Sequence, residues 1–129
     1  MIVDTSALVA IWLREPGWQT PSEKLTNDPS PKISAATLVE LYAVLDSRIA
    51  PENQRRLDTL LAAYGITTEP FTAEQAAVAR AAYCDFGRGS GHQAHLNLGD
   101  CFAYALAIDT GEPLLFVGDD FTHTGVMSA

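Results

Sequence analysis

Apolar residues recur along this chain at two spacings. Short runs, MIVD, KISA, ITTEPF and LLFV, bounded by polar, proline or glycine positions, predict four strands. Between them, TLVELYAVLDSRI carries Leu38, Leu41, Tyr42, Leu45 and Ile49 at helical spacing. A second stripe, Leu57, Leu60, Leu61 and Tyr64, opens near Pro51 and stops at Gly65. A helix over ALVAIWLRE follows the cap chemistry of DTS and is stopped by Pro16 and Gly17. Further helices are expected around Glu23, over AEQAAVARAAYCDF, and over GDCFAYALAID up to Thr110 and Gly111; VMSA is read as a short edge strand. Strands alternating with helices imply an α/β fold, with parallel pairing and helices on both faces of the sheet. With 129 residues and no repeat or long linker, one domain over 1–129 is expected.

Composition narrows this picture. A chain that is 47% hydrophobic and 19% charged buries a core and is not disordered. No apolar stretch approaches ~20 residues, so no membrane span is expected. The N-terminus lacks a basic region and has an acid at position 4, which points to the cytoplasm. Cys84 and Cys101 lack CxxC spacing and are expected to be reduced, buried thiols. The net charge of −8 argues against holding nucleic acid by electrostatics alone. It suits a basic protein partner, or a site that imports its positive charge as metal. After Arg88 there is no Lys or Arg, while Asp100, Asp109, Glu112, Asp119 and Asp120 follow.

The positions of the acids carry the chemistry. Asp4 ends the first strand, Glu40 lies in the first turn of the helix after the second, Asp100 opens a helix, and Asp119 and Asp120 follow the fourth strand. In an open parallel sheet the strand exits share one edge, where ligands bind. Singly, each acid has an ordinary structural role. Asp4 can cap a helix, Thr37 and Glu40 fit a capping box, Asp100 suits a helix dipole, and Asp119 or Asp120 can form a turn. Together, clustered carboxylates without Cys or His suit a hard cation, Mg²⁺ or Mn²⁺. No Ser, Cys or His nucleophile stands at a sharp turn, so metal-assisted phosphodiester hydrolysis is the reaction class these parts support.

The segments VDTSALVA, SAATLVE with Glu40, LNLGDCFAYALA around Asp100 and LLFVGDDFTHT together resemble the VapC toxins, PIN-domain ribonucleases of bacterial toxin–antitoxin pairs. The resemblance spans nearly the whole chain. It implies a PIN-like three-layer sandwich with a short, mostly parallel, twisted sheet. It also implies a metal-dependent endoribonuclease using Asp4, Glu40, Asp100 and the Asp119–Asp120 pair, a VapB-type antitoxin, and a homodimer. The chain departs from the pattern at His123-Thr124-Gly125, where relatives often carry a further acid. Spacing leaves open which of Asp119 and Asp120 faces the metal. Under this reading Thr5 and Ser6 support the carboxylates through their hydroxyls, with a helix cap as the alternative for Ser6. Arg14, Arg80 and Arg88 are candidate RNA contacts or solvated positions. The weak positive charge favours structured targets such as transfer or ribosomal RNA.

Other features carry less. The glycines at 87, 89 and 91 lack a P-loop Lys, and His92 with His95 lacks a third zinc ligand. Trp12 and Trp18 suit either core or the docking of a partner helix. Two alternatives remain at this level. A catalytically weak PIN-like binding module would not hold the ion. A receiver-type phospho-acceptor domain would need a late Lys, and the only lysines are Lys24 and Lys32.

Overall fold

Each short apolar run forms a strand, and all four pair in parallel. A computed structural model describes residues 1–46, 50 and 54–129. The strands are β1 (Ile2–Val3), β2 (Lys32–Ser34), β3 (Thr67–Glu69) and β4 (Leu114–Leu115), in the order β3-β2-β1-β4. Ile2 pairs with Leu114 and Val3 with Leu115, which fixes the register of β4 against β1. Successive strand residues point to opposite faces. Ile2 and Leu114 accordingly enter one core cluster, and Val3 and Leu115 the other.

Those two clusters define three layers. On one face lie α1 (Thr5–Leu13), α2 (Gln19–Asn27), α3 (Ala35–Asp46) and α4 (Gln54–Ala63), contributing Leu8, Leu25, Leu41, Leu45 and Leu57, all essentially inaccessible to solvent. On the other lie α5 (Ala73–Phe86) and α6 (Leu98–Thr110), packed through small residues, Ala79, Ala82, Ala103 and Ala107. Burying a Leu side chain stabilises a fold by roughly 1.5–3 kcal/mol, so the leucine-rich face anchors the sheet. Alanines on α5 and α6 instead let two helix backbones approach closely. α3 and α6 also touch each other.

Several boundaries differ from the sequence expectation, each for a local reason. α1 ends at Leu13, before Pro16, because Arg14 adopts the left-handed conformation (φ 52°, ψ 45°) and its N–H returns to the Ala10 and Ile11 carbonyls. The fourth strand stops at Leu115: the N–H of Val117 leaves the ladder and donates to the Ser6 hydroxyl at 3.1 Å. ITTEPF contributes only Thr67–Glu69, since Pro70 has no N–H for a ladder. VMSA adds a single parallel bridge, Ser128 with Leu114. The Thr37–Glu40 capping box does not form. Thr37 and Glu40 both lie inside α3, whose first turn instead receives the Ser34 hydroxyl on the Ala36 N–H. Cys84 is exposed, not buried, whereas Cys101 is buried; both are free thiols. The expected roles of Ile49 and Pro51 lie outside the described residues. Among the described residues no helix is long and apolar enough to cross a membrane.

Candidate active site

In the order β3-β2-β1-β4 the chain moves outward from β1 in one direction and returns on its other side with β4. The crevice at such a reversal lies beyond the strand exits. There a cleft of about 220 Å³ is lined by Asp4, Thr5, Ser6, Glu40, Asp100 and Asp120, among others. The topology thus gathers acids separated by more than a hundred positions. A larger hollow of about 450 Å³, by Met1 and Lys24, gathers no such set.

Asp4 is the residue through which β1 turns into α1. As N-cap it keeps an extended backbone (φ −87°, ψ 156°), and its Oδ2 accepts from the Ser6 N–H at 2.9 Å and the Ser6 hydroxyl at 2.6 Å. Its Oδ1 is buried and has no hydrogen-bond partner among the described residues. A buried carboxylate oxygen without a donor costs free energy unless a cation or a proton reaches it. The Ser6 hydroxyl, bonded both to Asp4 and to the Val117 N–H, joins the exits of β1 and β4.

Glu40 sits in the second turn of α3, half-buried, and its Oε2 accepts from the Thr5 hydroxyl at 2.9 Å. Asp100 is buried in the first turn of α6 and does form a capping box. Its Oδ2 accepts from the Asn97 N–H at 2.6 Å, while the Asn97 side chain accepts from the Asp100 N–H at 3.0 Å. Of the adjacent pair, Asp120 lines the cleft and Asp119 does not. The Asp119 carbonyl accepts from the Thr122 N–H and closes a turn that swings the next carboxylate inward.

Electrostatics follow from this crowding. Burial raises Asp4 above the ordinary carboxylate range, against the pull of its bonds to Ser6, and the Asp120 charge adds to the rise. Burial likewise raises Glu40, opposed by the Thr5 hydroxyl and reinforced by Asp4. Asp100 is pushed up to about 7, first by burial and then by the charges of Asp4, Asp120 and Glu40. Among the described residues no lysine or arginine lines the cleft. The acids therefore repel one another, with no lysine or arginine among the described residues between them.

The donor set fits a hard divalent cation: all oxygen, with one buried oxygen unpartnered. Among the described residues no group of three acids is placed to hold a metal ion by itself. A Mg²⁺-like ion needs only one or two carboxylates and keeps several waters.

Other sequence candidates fall elsewhere. Arg14 stacks over Trp18, 5.7 Å from the ring centroid. Arg80 lines an apolar groove between α5 and α6, and exposed Arg88 sits on the loop leading to Asn97. Trp12 and Trp18 pack partly against the leucine-rich cluster. His92 accepts from the Ala94 N–H and meets Phe86 edge-on. Sequence reading missed Asn97, although an Asn three residues before an acid is itself a cap signal. It also passed over Gly99, which lies against Glu40.

A parallel sheet whose strand exits gather carboxylates is the frame of PIN domains, and residues 1–126 match the family model for the PIN domain. Ribonuclease VapC42 of Mycobacterium tuberculosis is 56% identical over the whole chain and 98% of its own length. Ribonuclease VapC28 of the same organism is 52% identical, again over the whole chain and 97% of its own length. Among solved structures, Mycobacterium tuberculosis VapC20, a sarcin–ricin loop cleaving toxin, superposes with a TM-score of 0.76 at 18% identity, covering 99% of this chain and 97% of that one. The chain belongs to the PIN-domain family and, within it, to the VapC ribonucleases. The receiver alternative falls with that assignment.

Proposed function

We propose that this VapC ribonuclease hydrolyses RNA at the cleft formed by Asp4, Glu40, Asp100 and Asp120, with Mg²⁺ or Mn²⁺ as cofactor. The activity is that of an endoribonuclease, the toxin component of a type II toxin–antitoxin system. The observation that supports the site is the buried Oδ1 of Asp4, unpartnered among the described residues, in a cleft of acids with raised pKa. Asp4 and Asp100 would hold the ion, with Glu40 and Asp120 flanking it. A divalent cation held there would supply Lewis-acid polarisation of a phosphoryl oxygen and a water of lowered pKa. The chain's own residues do the positioning. Ser6 fixes the Asp4 carboxylate, Thr5 fixes Glu40, and the Asn97 cap fixes Asp100.

The net charge of −8 limits long-range attraction of RNA, which favours a narrow range of structured targets. Arg88, exposed on the loop that leads to Asn97, is the arginine we assign to a substrate phosphate. Membership of the VapC ribonucleases supports a VapB-type antitoxin as partner, a homodimer, and action in the cytoplasm. The test is cleavage of structured RNA by wild type and Asp4→Asn, with Mg²⁺, with Mn²⁺ and with a chelator. Metal-dependent cleavage lost in Asp4→Asn is expected. Equal cleavage by both proteins, or indifference to the chelator, would remove the proposed site.

A further inference from the structure

Gly99 lies buried in the first turn of α6 with an ordinary helical backbone, so no dihedral angle requires glycine there. Glycine is also a poor helix former compared with alanine. Its neighbour supplies the reason. A β-carbon built at position 99 would overlap both carboxylate oxygens of Glu40. The Glu40 side chain thus crosses from α3 and rests directly on the α6 backbone, one residue before Asp100. Its Oε2 is pinned from the other side by the Thr5 hydroxyl at 2.9 Å. Three helices, α1, α3 and α6, meet at this one carboxylate.

We propose that Gly99 is a positioning residue, whose bare α-carbon seats the Glu40 carboxylate in the cleft between the Thr5 hydroxyl and Asp100. The proposal rests on the reading of the cleft as a divalent-cation site. The atoms a methyl group would displace are the far end of a flexible side chain. α6 therefore need not move in Gly99→Ala; Glu40 swings off its seat and leaves the Thr5 hydroxyl. Fold and site then respond in opposite directions, because alanine favours the helix while the carboxylate is displaced.

The test compares wild type, Gly99→Ala, Glu40→Ala and the double variant of the full chain. The readouts are Tm of the metal-free protein, Mn²⁺ affinity by titration calorimetry, and RNA cleavage. Gly99→Ala should leave Tm unchanged or raised by about 1–4 °C and weaken Mn²⁺ binding about 10-fold. In the double variant the loss should match that of Glu40→Ala alone, since both act through one carboxylate. Shortening the acid by one methylene, as Glu40→Asp in the Gly99→Ala background, should recover part of the affinity. Wild-type Mn²⁺ affinity in Gly99→Ala overturns the proposal. So does a loss that adds fully to that of Glu40→Ala, or a fall in Tm that Glu40→Ala does not mask, either of which assigns Gly99 to packing. If Glu40→Ala itself changes neither affinity nor cleavage, the cation reading of the cleft fails and the role of Gly99 falls with it.

Discussion

Replacing Asp100 by Asn removes a charge while sparing the helix cap. The Oδ2 of Asp100 accepts from the Asn97 N–H at 2.6 Å, and an Asn amide oxygen can accept the same bond. In the metal-free protein the Asp100 carboxyl is pushed from 3.8 to about 7, chiefly by burial and then by neighbouring acids. A shift of that size corresponds to at most ~4 kcal/mol. Water reaches the cleft and screens its charges, which reduces the effect to about 1–2 kcal/mol. Because the folded pKa lies above the unfolded one, the fold holds more protons between pH 3.8 and about 7, and wild-type stability falls as pH rises through that window. Asp100→Asn lacks this loss. At pH 8 without metal it should melt roughly 3–8 °C above wild type, and the gap should close as pH falls towards 4. Saturating Mn²⁺ should raise Tm of wild type and leave the variant nearly unmoved. The assay is thermal melting monitored by circular dichroism at several pH values, with and without Mn²⁺. A variant less stable than wild type at pH 8, or equally stabilised by Mn²⁺, would refute the picture of an acid held in the cleft for a cation.

Three further outcomes are expected. Thr5→Val removes the hydroxyl that holds Glu40 Oε2 and should weaken Mn²⁺ binding about 10-fold by calorimetry, whereas Thr5→Ser should keep most of it. Ser6→Ala removes the contacts joining Asp4 to the Val117 N–H and should cost about 1–3 kcal/mol in urea unfolding, with a parallel drop in cleavage. Raising NaCl from about 50 to about 200 mM should slow cleavage of a structured RNA far less than the ~10³-fold typical of proteins making many phosphate contacts, since the chain carries a net charge of −8 and no Lys or Arg among the described residues lines the cleft.

The parallel sheet was legible because its apolar runs are short and separated by helical stripes, a pattern with few alternative packings. The helices over TLVELYAVLD and AEQAAVARAAYCDF follow directly from spacing and composition. Asp4 and Asp100 were legible from their places beside strand and helix starts. What spacing could not show was which oxygens the caps would leave free. Asp4 does serve as a cap, as the ordinary reading held, and Asp100, read there only as favouring the helix dipole, closes a capping box with Asn97; each does so through Oδ2. Glu40 is the reverse case: a sequence-perfect capping box that never forms, because α3 starts at Ala35 and carries both residues into its body. The choice between Asp119 and Asp120 depends on a turn that only the fold closes. Gly99 was invisible for a similar reason, since its role is set by a side chain from another helix.

One measurement reaches the central claim directly: anomalous diffraction at the manganese edge from crystals of the full chain grown with MnCl₂. A peak is expected in the cleft beyond the exits of β1 and β4, within bonding distance of the Asp4 Oδ1 that lacks a partner among the described residues. Fully occupied manganese elsewhere, with the cleft empty and the Asp4 oxygen still unpartnered, would contradict it.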